Sequence, residues 1–250
     1  MKCGSRALHG LLDRHPDMAM APQEVNFFFG PGDGPARRQP VLGVPEDCPV
    51  PGWRTGQWPR GPGWYLDQFD PDAAVRGDVS PGYTDPEHPQ VAERMAALVP
   101  DARLVYLVRD PVSRAVSQWA HHVRDGTEHR PVAEAVLDPD SQYLARSRYH
   151  ERLLPFLRCF RREQVLLVLQ ERLLADRPGQ LRRVFRHVGV DPDRWDPSFR
   201  EPAGPRAARR DVSARLRAAV WEAVDDDVSR LRATMGDPLR EWSRPVRVRA

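Results

Sequence analysis

Two short runs of hydrophobic residues stand out along the chain, at residues 103–108 (RLVYLV) and 165–169 (VLLVL). Runs of this length without polar alternation are typical of strands that are buried on both faces of a parallel sheet. A third stretch, residues 24–29 (EVNFFF), is rich in aromatic side chains and predicts a shorter strand or extended segment. The hydrophobic pattern thus predicts a sheet with at least two buried strands.

Helical spacing of apolar residues connects these runs. It predicts helices at residues 4–14, 90–98, 111–124, 149–160, 179–187 and 212–235. The order strand, helix, strand, helix indicates right-handed βαβ units, in which helices cover both faces of a parallel sheet. We therefore predict an α/β fold in three layers, with a central, mainly parallel sheet flanked by helices. A chain of 250 residues accommodates it as a single domain, 1–250.

Residues 30–63 show neither the helical nor the strand spacing of apolar residues. They are dense in proline and glycine and predict a long surface loop, which in a compact domain is usually functional or disordered. Trp53 and Trp58 lie within it. They are equally suited to stack against a sugar or aromatic acceptor and to pin the loop to the body of the protein.

Composition excludes several classes of protein. Apolar residues make up 40% and charged residues 29%, which is ordinary for a globular protein, and no apolar run approaches the roughly 18 residues of a membrane span. The residues after Met1 lack the apolar segment of a secretory signal, so we expect a cytoplasmic protein. Cys3, Cys48 and Cys159 follow no metal-ligand pattern, so no metal is predicted.

The charges give only weak support for a broad polyanion-binding surface and leave a local anion site open. The net charge is only +3 and acids and bases are interspersed, so nucleic acid is not predicted as a partner. Of the 38 basic side chains, Lys2 is the single lysine. Residues 2–8 (KCGSRAL) place it with a glycine and a serine where a helix begins, which suits a phosphate-like anion. Alone, this pattern also arises by chance.

Five motifs in order give the pattern a more specific meaning. They are residues 2–8, 15–17 (HPD), 24–28 (EVNFF), 63–65 (GWY) and 107–117 (LVRDPVSRAVS). This order resembles the sulfotransferases that use 3′-phosphoadenosine 5′-phosphosulfate (PAPS), with heparan sulfate sulfotransferases and their bacterial relatives as the nearest subgroup. The resemblance covers nearly the whole chain and is most specific at Arg109 to Ser117. It implies a P-loop-like fold and a product nucleotide, PAP.

The resemblance also implies a role for individual residues. Lys2 would neutralise the leaving oxygen, and Gly4, Ser5 and Arg6 would hold the 5′-phosphosulfate. Arg109 and Ser117 would bind the 3′-phosphate, with Arg206, or its neighbour Arg209 or Arg210, closing over the nucleotide. Glu24 would be the catalytic base, and His121 would lie near the acceptor. The acceptor would be a carbohydrate or small molecule with a hydroxyl or amine; the oligomeric state is not predicted.

The sequence departs from the family pattern at several places, among them Asn26, where the family usually has histidine, and the longer loop at 30–63; two other departures bear on the site. Family members have an apolar strand directly before the lysine motif, so the first strand of the fold is apparently missing before Met1. Val79 stands where the subgroup often has an active-site lysine, and Arg6 is one candidate to replace that charge. These departures leave open a non-catalytic, PAP-binding relative. An ordinary P-loop phosphotransferase is a third hypothesis, but it requires a GxxxxGK[ST] motif that the sequence lacks.

Overall fold

The computed structural model of the chain describes residues 2–22, 24–30, 56–194, 199 and 212–242. The strands are β1 (Met18–Met20), β2 (Val75–Gly77), β3 (Leu104–Val108) and β4 (Val165–Leu169). The helices are α1 (Ser5–Leu12), α2 (Gly61–Leu66), α3 (Val91–Leu98), α4 (Pro111–Arg124), α5 (Val132–Leu137), α6 (Gln142–Ala145), α7 (Tyr149–Cys159), α8 (Gln170–Ala175), α9 (Arg177–Val188) and α10 (Ala214–Met235). Within these ranges, no helix is long and apolar enough to cross a bilayer.

The strands form two parallel pairs. β1 pairs with β2, and β3 pairs with β4 from Leu104 opposite Val165 to Val108 opposite Leu169. The two strands predicted from continuous hydrophobic runs are therefore confirmed. The single central sheet is not, because the described strands form two separate two-stranded sheets. Residues of both pairs line one cavity of about 700 Å³.

Helices pack against both faces of β3. Val105 contacts the hydrophobic cluster that contains Leu8 of α1 and Phe185 of α9, whereas Tyr106 contacts a second cluster that includes residues of α7 and α10. Alternate side chains of a strand point to opposite faces, so these contacts put one helical layer on each side of the strands. The α/β class is confirmed.

Residues 24–29, predicted as a short strand or extended segment, form an irregular segment. These residues form no strand, and Asn26 has a positive φ of 49°, which interrupts an extended conformation. Their N–H groups bond to side chains instead: Asn26 N donates to Ser80 Oγ at 2.9 Å and Phe27 N donates to Tyr83 Oη at 3.0 Å. The aromatic side chains that suggested a strand are buried, with Phe27 stacked 4.5 Å from Tyr65.

The segment predicted as a loop, 30–63, is helical at its end. A 3₁₀ turn at Trp58–Arg60 leads directly into α2, and a proline stands at the start of each, where its missing N–H costs nothing. Trp58 packs 5.3 Å from Phe27, so this tryptophan pins the segment to the core. Residues 31–55, including Trp53, lie outside the described part of the chain.

A fully buried arginine fixes α4. Arg114 donates from Nε to Ser147 Oγ at 2.7 Å and from Nη1 to Gln118 Oε1 at 2.5 Å, and Nη2 bonds to the carbonyl oxygen of Tyr143. Three donors in a planar fork suit arginine, whereas a lysine has a single ammonium at that depth. The motif residue Arg114 therefore ties α4 to α6 and the turn before α7.

Replacing Arg114 by lysine should lower the free energy of unfolding by about 1.5–3 kcal/mol, because hydrogen bonds from a charged donor are lost in a buried site. The midpoint of urea denaturation measures this change. Arg124→Lys, on the same helix with a side chain 69% exposed, is the control and should change stability by less than about 0.5 kcal/mol. Equal midpoints for the two variants would contradict the structural role of Arg114.

Candidate active site

The N-terminus of α1 has the backbone geometry that suits an anion. Lys2 and Gly4 have positive φ angles of 63° and 94°, and Gly4 caps the helix. The first intrahelical bond runs from Leu8 N to Gly4 O at 3.0 Å, so the N–H groups of Ser5, Arg6 and Ala7 have no acceptor within the helix. These groups and the helix dipole present partial positive charge at one point.

The backbone conformation at position 4 favours glycine. Its φ lies in the left-handed region, where other residues are strained. A Cβ there would also lie 2.9 Å from Nε2 of Gln170, the first residue of α8. The turn therefore lies closely against the carboxyl end of β4, the edge at which parallel sheets usually bind ligands.

Arg109, at the end of β3, contacts the same turn. It directly follows the strand, and its Nη1 donates to Lys2 O at 3.5 Å, at the long limit of a hydrogen bond. The hydroxyl of Tyr149 donates to Arg109 O at 2.6 Å and lies 3.9 Å from the Sγ of Cys3. Lys2 and Arg109, 107 residues apart in sequence, thus lie side by side at the carboxyl end of β3.

The start of α4 is held beside this turn by two carboxylates. Asp110 caps the helix by accepting from Ser113 N at 2.8 Å, and its own N–H donates to Glu171 Oε1 at 2.8 Å. The half-buried Ser117 follows on the same helix. His121 and Arg124 come four and seven residues after Ser117, so all three share one face of α4.

The far end of α4 brings more charge to Lys2. Burial, and after it the positive charge of Arg124, lowers the pKa of the Lys2 ammonium. Arg6 and Arg109 act in the same direction, whereas Asp125 opposes them. Four cationic side chains therefore share one site, an arrangement that suits an anion with several negative charges.

His121 lies near these cationic side chains. Its Nδ1 lies 3.2 Å from the Asp125 carboxylate, and Arg124 also contacts Nδ1. Burial, and then the charge of Lys2, lowers the pKa of His121 below its usual 6.5, so the ring is largely neutral at pH 7. A neutral imidazole beside an anion site can accept a proton.

Glu24 acts on a different group, the carboxyl of Asp78. It is exposed, and it lies after β1 where its charge helps to raise the pKa of Asp78, although burial of Asp78 is the larger cause. Asp78 is a structural hub that accepts from Ser80 Oγ at 2.8 Å and from the Tyr83 hydroxyl. Glu24 is not among the groups whose charges act most strongly on Lys2.

Two residues near Lys2 belong to none of the sequence motifs. Arg124 and Asp125 end α4 next to Lys2 and His121, and the only signal for them was the helical spacing from Ser117. Val79, where a lysine was expected, is half-buried and packs with the hydrophobic cluster of α1 and α9. Arg206 lies outside the described residues.

Comparison with known proteins agrees with this architecture. The model of the sulfotransferase family matches residues 53–197, a range that includes Arg109 and Ser117. The crystal structure of a sulfotransferase from Alicyclobacillus acidocaldarius superposes with a TM-score of 0.78 at 27% identity, covering 96% of this chain and 94% of that one.

Curated relatives are similar over a shorter part of their length. Mouse heparan sulfate glucosamine 3-O-sulfotransferase 3A1 is 26% identical over 199 residues, which is 76% of this chain and 44% of that protein. Human heparan sulfate glucosamine 3-O-sulfotransferase 6 is 28% identical over 76% of this chain and 50% of its own length. The chain thus spans about half the length of these relatives. The family model and the match over nearly the whole structure show that the chain belongs to the sulfotransferase family.

Proposed function

We propose that the protein transfers a sulfuryl group from PAPS to a hydroxyl or amine of a carbohydrate or small-molecule acceptor. The observation that carries this proposal is that Arg109 contacts the Lys2 turn at the N-terminus of α1, where the charges of Arg6 and Arg124 also act on the Lys2 ammonium. PAPS has phosphate groups at both ends of one ribose, so its recognition needs several cations in one site. The fold would be the three-layer, P-loop-like arrangement, with α1 as the anion-binding helix.

The residues at the turn fit such a donor. The N–H groups of Gly4, Ser5 and Arg6, with the Ser5 hydroxyl, would hold the 5′-phosphosulfate, because a Cβ is absent at Gly4 and the helix begins there. Arg109, with Ser117, would hold the 3′-phosphate. Arg206 is proposed to close over the nucleotide.

Catalysis would come from positioning and charge. Sulfuryl transfer, like phosphoryl transfer, has a loose in-line transition state in which negative charge develops on the leaving oxygen. Lys2 would neutralise that oxygen as the S–O bond breaks. Arg124 would supply the second cation that Val79 does not, and Arg6 would support it from the first turn of α1.

Two groups are candidates for the base. Glu24 has this role by family resemblance, and His121 has a neutral ring beside Lys2. Arg124, which can only donate, contacts Nδ1 of His121, so the neutral ring carries its proton on Nε2. We assign the base to Glu24 and the positioning of the acceptor to His121, because Lys2 already lowers the proton affinity of the ring.

The Glu24→Gln variant should lower kcat by about 100-fold, near the low end for a general base because the carboxylate is exposed. Its Kd for PAP should stay within about twofold, since the amide has the same shape. Parallel measurement of His121→Gln decides between the bases. A greater loss of kcat in His121→Gln than in Glu24→Gln would reverse the assignment.

Binding of PAP should weaken as pH rises through the lowered pKa of Lys2, which lies below 10.5. The sign follows from charge: the ammonium that attracts the nucleotide is lost earlier than in an ordinary lysine. Lys2→Arg keeps its charge throughout this range and is the matched control. Calorimetric titration with PAP at several pH values tests the prediction, which fails if the two proteins show the same pH dependence.

Mass spectrometry tests the activity itself. Purified protein with PAPS and a heparan-type oligosaccharide, or a pool of small hydroxyl compounds, should give a product heavier by one SO₃ unit together with one PAP. The Lys2→Ala variant is the background control. PAP binding without any sulfated product across these acceptor classes would favour a non-catalytic, nucleotide-binding relative.

A further inference from the structure

The peptide group between Arg109 and Asp110 is hydrogen-bonded on both sides by side chains. Its carbonyl oxygen accepts from the hydroxyl of Tyr149 at 2.6 Å, and its N–H donates to Glu171 Oε1 at 2.8 Å. A trans peptide group is planar, with its C=O and N–H directed to opposite sides. Bonds at both ends therefore fix the orientation of this plane, and with it the direction in which the Arg109 side chain leaves the backbone.

These side-chain bonds take over where the strands no longer pair. The ladder of backbone hydrogen bonds between β3 and β4 ends with Val108 opposite Leu169, so residues 109 and 110 lie beyond it. Polar backbone groups in a partly buried position require other partners. Tyr149 of α7 and Glu171 of α8 supply these partners from two separate helices, one on each side of the peptide group.

One tryptophan contacts both of these side chains. The indole N–H of Trp242 donates to Glu171 Oε2 at 3.3 Å, and its ring lies 5.6 Å from that of Tyr149. Trp242 and Tyr149 are each only 3% exposed, so neither ring can move away without opening the close-packed core. Tyr149, Glu171 and Trp242 together form what we call the Arg109 clamp.

The clamp also contacts the turn at the start of α1. The Tyr149 hydroxyl lies 3.9 Å from the Sγ of Cys3, the residue between Lys2 and Gly4. Burial raises the pKa of Tyr149 well above its usual value, so the hydroxyl stays protonated and able to donate at neutral pH. One side chain thus contacts both segments that carry the proposed nucleotide-binding residues.

We propose that Tyr149 and Glu171 are positioning residues for the nucleotide, which hold the Arg109 peptide group so that the guanidinium is oriented toward the 3′-phosphate. This inference rests on the proposed function. A side chain that is held before binding loses less conformational freedom when the ligand arrives, which favours affinity. The Arg109 clamp would provide this preorganisation for the phosphate-binding arginine.

The charge of Glu171 makes the proposal sharply testable. Its carboxylate bonds to the residue next to Arg109, close to a site for an anion with several negative charges. Charge repulsion alone would make this carboxylate unfavourable for nucleotide binding. The positioning role predicts the opposite sign, because loss of the carboxylate would release the peptide group.

Tyr149→Phe and Glu171→Gln change these groups with little change in side-chain shape. Tyr149→Phe removes the donor to Arg109 O, and in Glu171→Gln a single amide oxygen remains to accept from two N–H groups. The Kd for PAP should rise by about 3- to 10-fold in each variant. The Kd for adenosine 5′-monophosphate, which lacks the 3′-phosphate, should stay within about twofold.

Each variant has a matched control. The Tyr106 hydroxyl also donates to a carbonyl oxygen, that of Tyr149 at 3.1 Å instead of that of Arg109. Tyr106→Phe should therefore shift the midpoint of urea denaturation about as much as Tyr149→Phe, yet leave the Kd for PAP within about twofold. Glu222→Gln removes an exposed carboxylate from α10 and should leave the Kd for both nucleotides unchanged.

A double-mutant cycle shows whether the effect acts through Arg109. In an Arg109→Ala background, Tyr149→Phe should change the Kd for PAP by less than about twofold, because no guanidinium is left to orient. Calorimetric titration with both nucleotides measures these values, and circular dichroism shows that each variant is folded. Since the two side chains act from different helices, either variant alone tests the proposal if the other does not fold.

The outcomes separate this inference from the proposed function. A wild-type protein that binds PAP no more tightly than adenosine 5′-monophosphate would overturn both. A selective wild type whose two variants keep the same selectivity would overturn the inference alone. So would tighter binding of PAP by Glu171→Gln, an equal loss of affinity in Tyr106→Phe, or additive losses in the cycle.

Discussion

Replacing Lys2 by alanine should lower the rate of sulfuryl transfer by about 100- to 1,000-fold. The residue is half-buried beside the N-terminus of α1, and we propose that its ammonium neutralises charge that develops on the leaving oxygen. Losing one preorganised group of this kind typically costs about 2.7–4 kcal/mol of transition-state stabilisation. Single-turnover kinetics with saturating PAPS measures the chemical step without the contribution of binding.

Two controls separate this role from general charge loss. Lys2→Arg keeps the charge and should retain part of the rate, whereas Arg186→Ala removes an exposed cation from α9 and should leave the rate within about twofold. His187, next to Arg186, contacts Leu104 O at the amino end of β3, so this control lies at the opposite edge of the strands. A normal rate in Lys2→Ala would remove the lysine from the mechanism.

Replacing Arg109 by alanine should weaken PAP binding by about 2–5 kcal/mol, which is about 30-fold to several thousand-fold in Kd. The guanidinium is half-buried at the end of β3, so its attraction for a phosphate is less screened than at the surface. Adenosine 5′-monophosphate lacks the 3′-phosphate that Arg109 is proposed to hold. Its Kd should therefore change by less than about fivefold in the same variant.

Calorimetric titration of the wild type and of Arg109→Ala with each nucleotide measures these changes in Kd. Circular dichroism checks the fold, because Arg109 also donates to the carbonyl oxygen of Lys2. If the variant loses affinity equally for the two nucleotides, Arg109 holds the 5′ end or the turn instead of the 3′-phosphate.

The fold could be predicted where the pattern of neighbouring apolar residues alone indicates a strand or helix. β3 and β4 are continuous hydrophobic runs, and the long helices repeat their apolar residues at helical spacing. β1 and β2 have three residues each, too few to show alternation, and they exist only because they pair across 57 residues of sequence. The aromatic residues after Glu24 suggested a strand, but their burial is achieved in an irregular segment.

The candidate site was likewise predictable only where its residues lie in compact sequence motifs. Lys2, Gly4 and Arg109 lie in compact motifs, so their residue types alone indicated an anion site, and the structure brings Lys2 and Arg109 into contact. Arg124 and Asp125 could not be found this way, because their charges act on Lys2 from a part of the chain more than 120 residues away in sequence. The cytoplasmic location and the absence of a metal stay predictions.

The most direct test of the central claim is the stabilisation of the protein by PAP. Lys2 and Arg109 in one site predict that PAP at a hundredfold its Kd adds about 2.7 kcal/mol of stability. For a protein of this size that is a rise in Tm of about 5–10 °C. Adenosine 5′-monophosphate at the same concentration should give a clearly smaller rise. No shift with PAP, or equal shifts with the two nucleotides, would contradict a site built for a doubly phosphorylated adenosine.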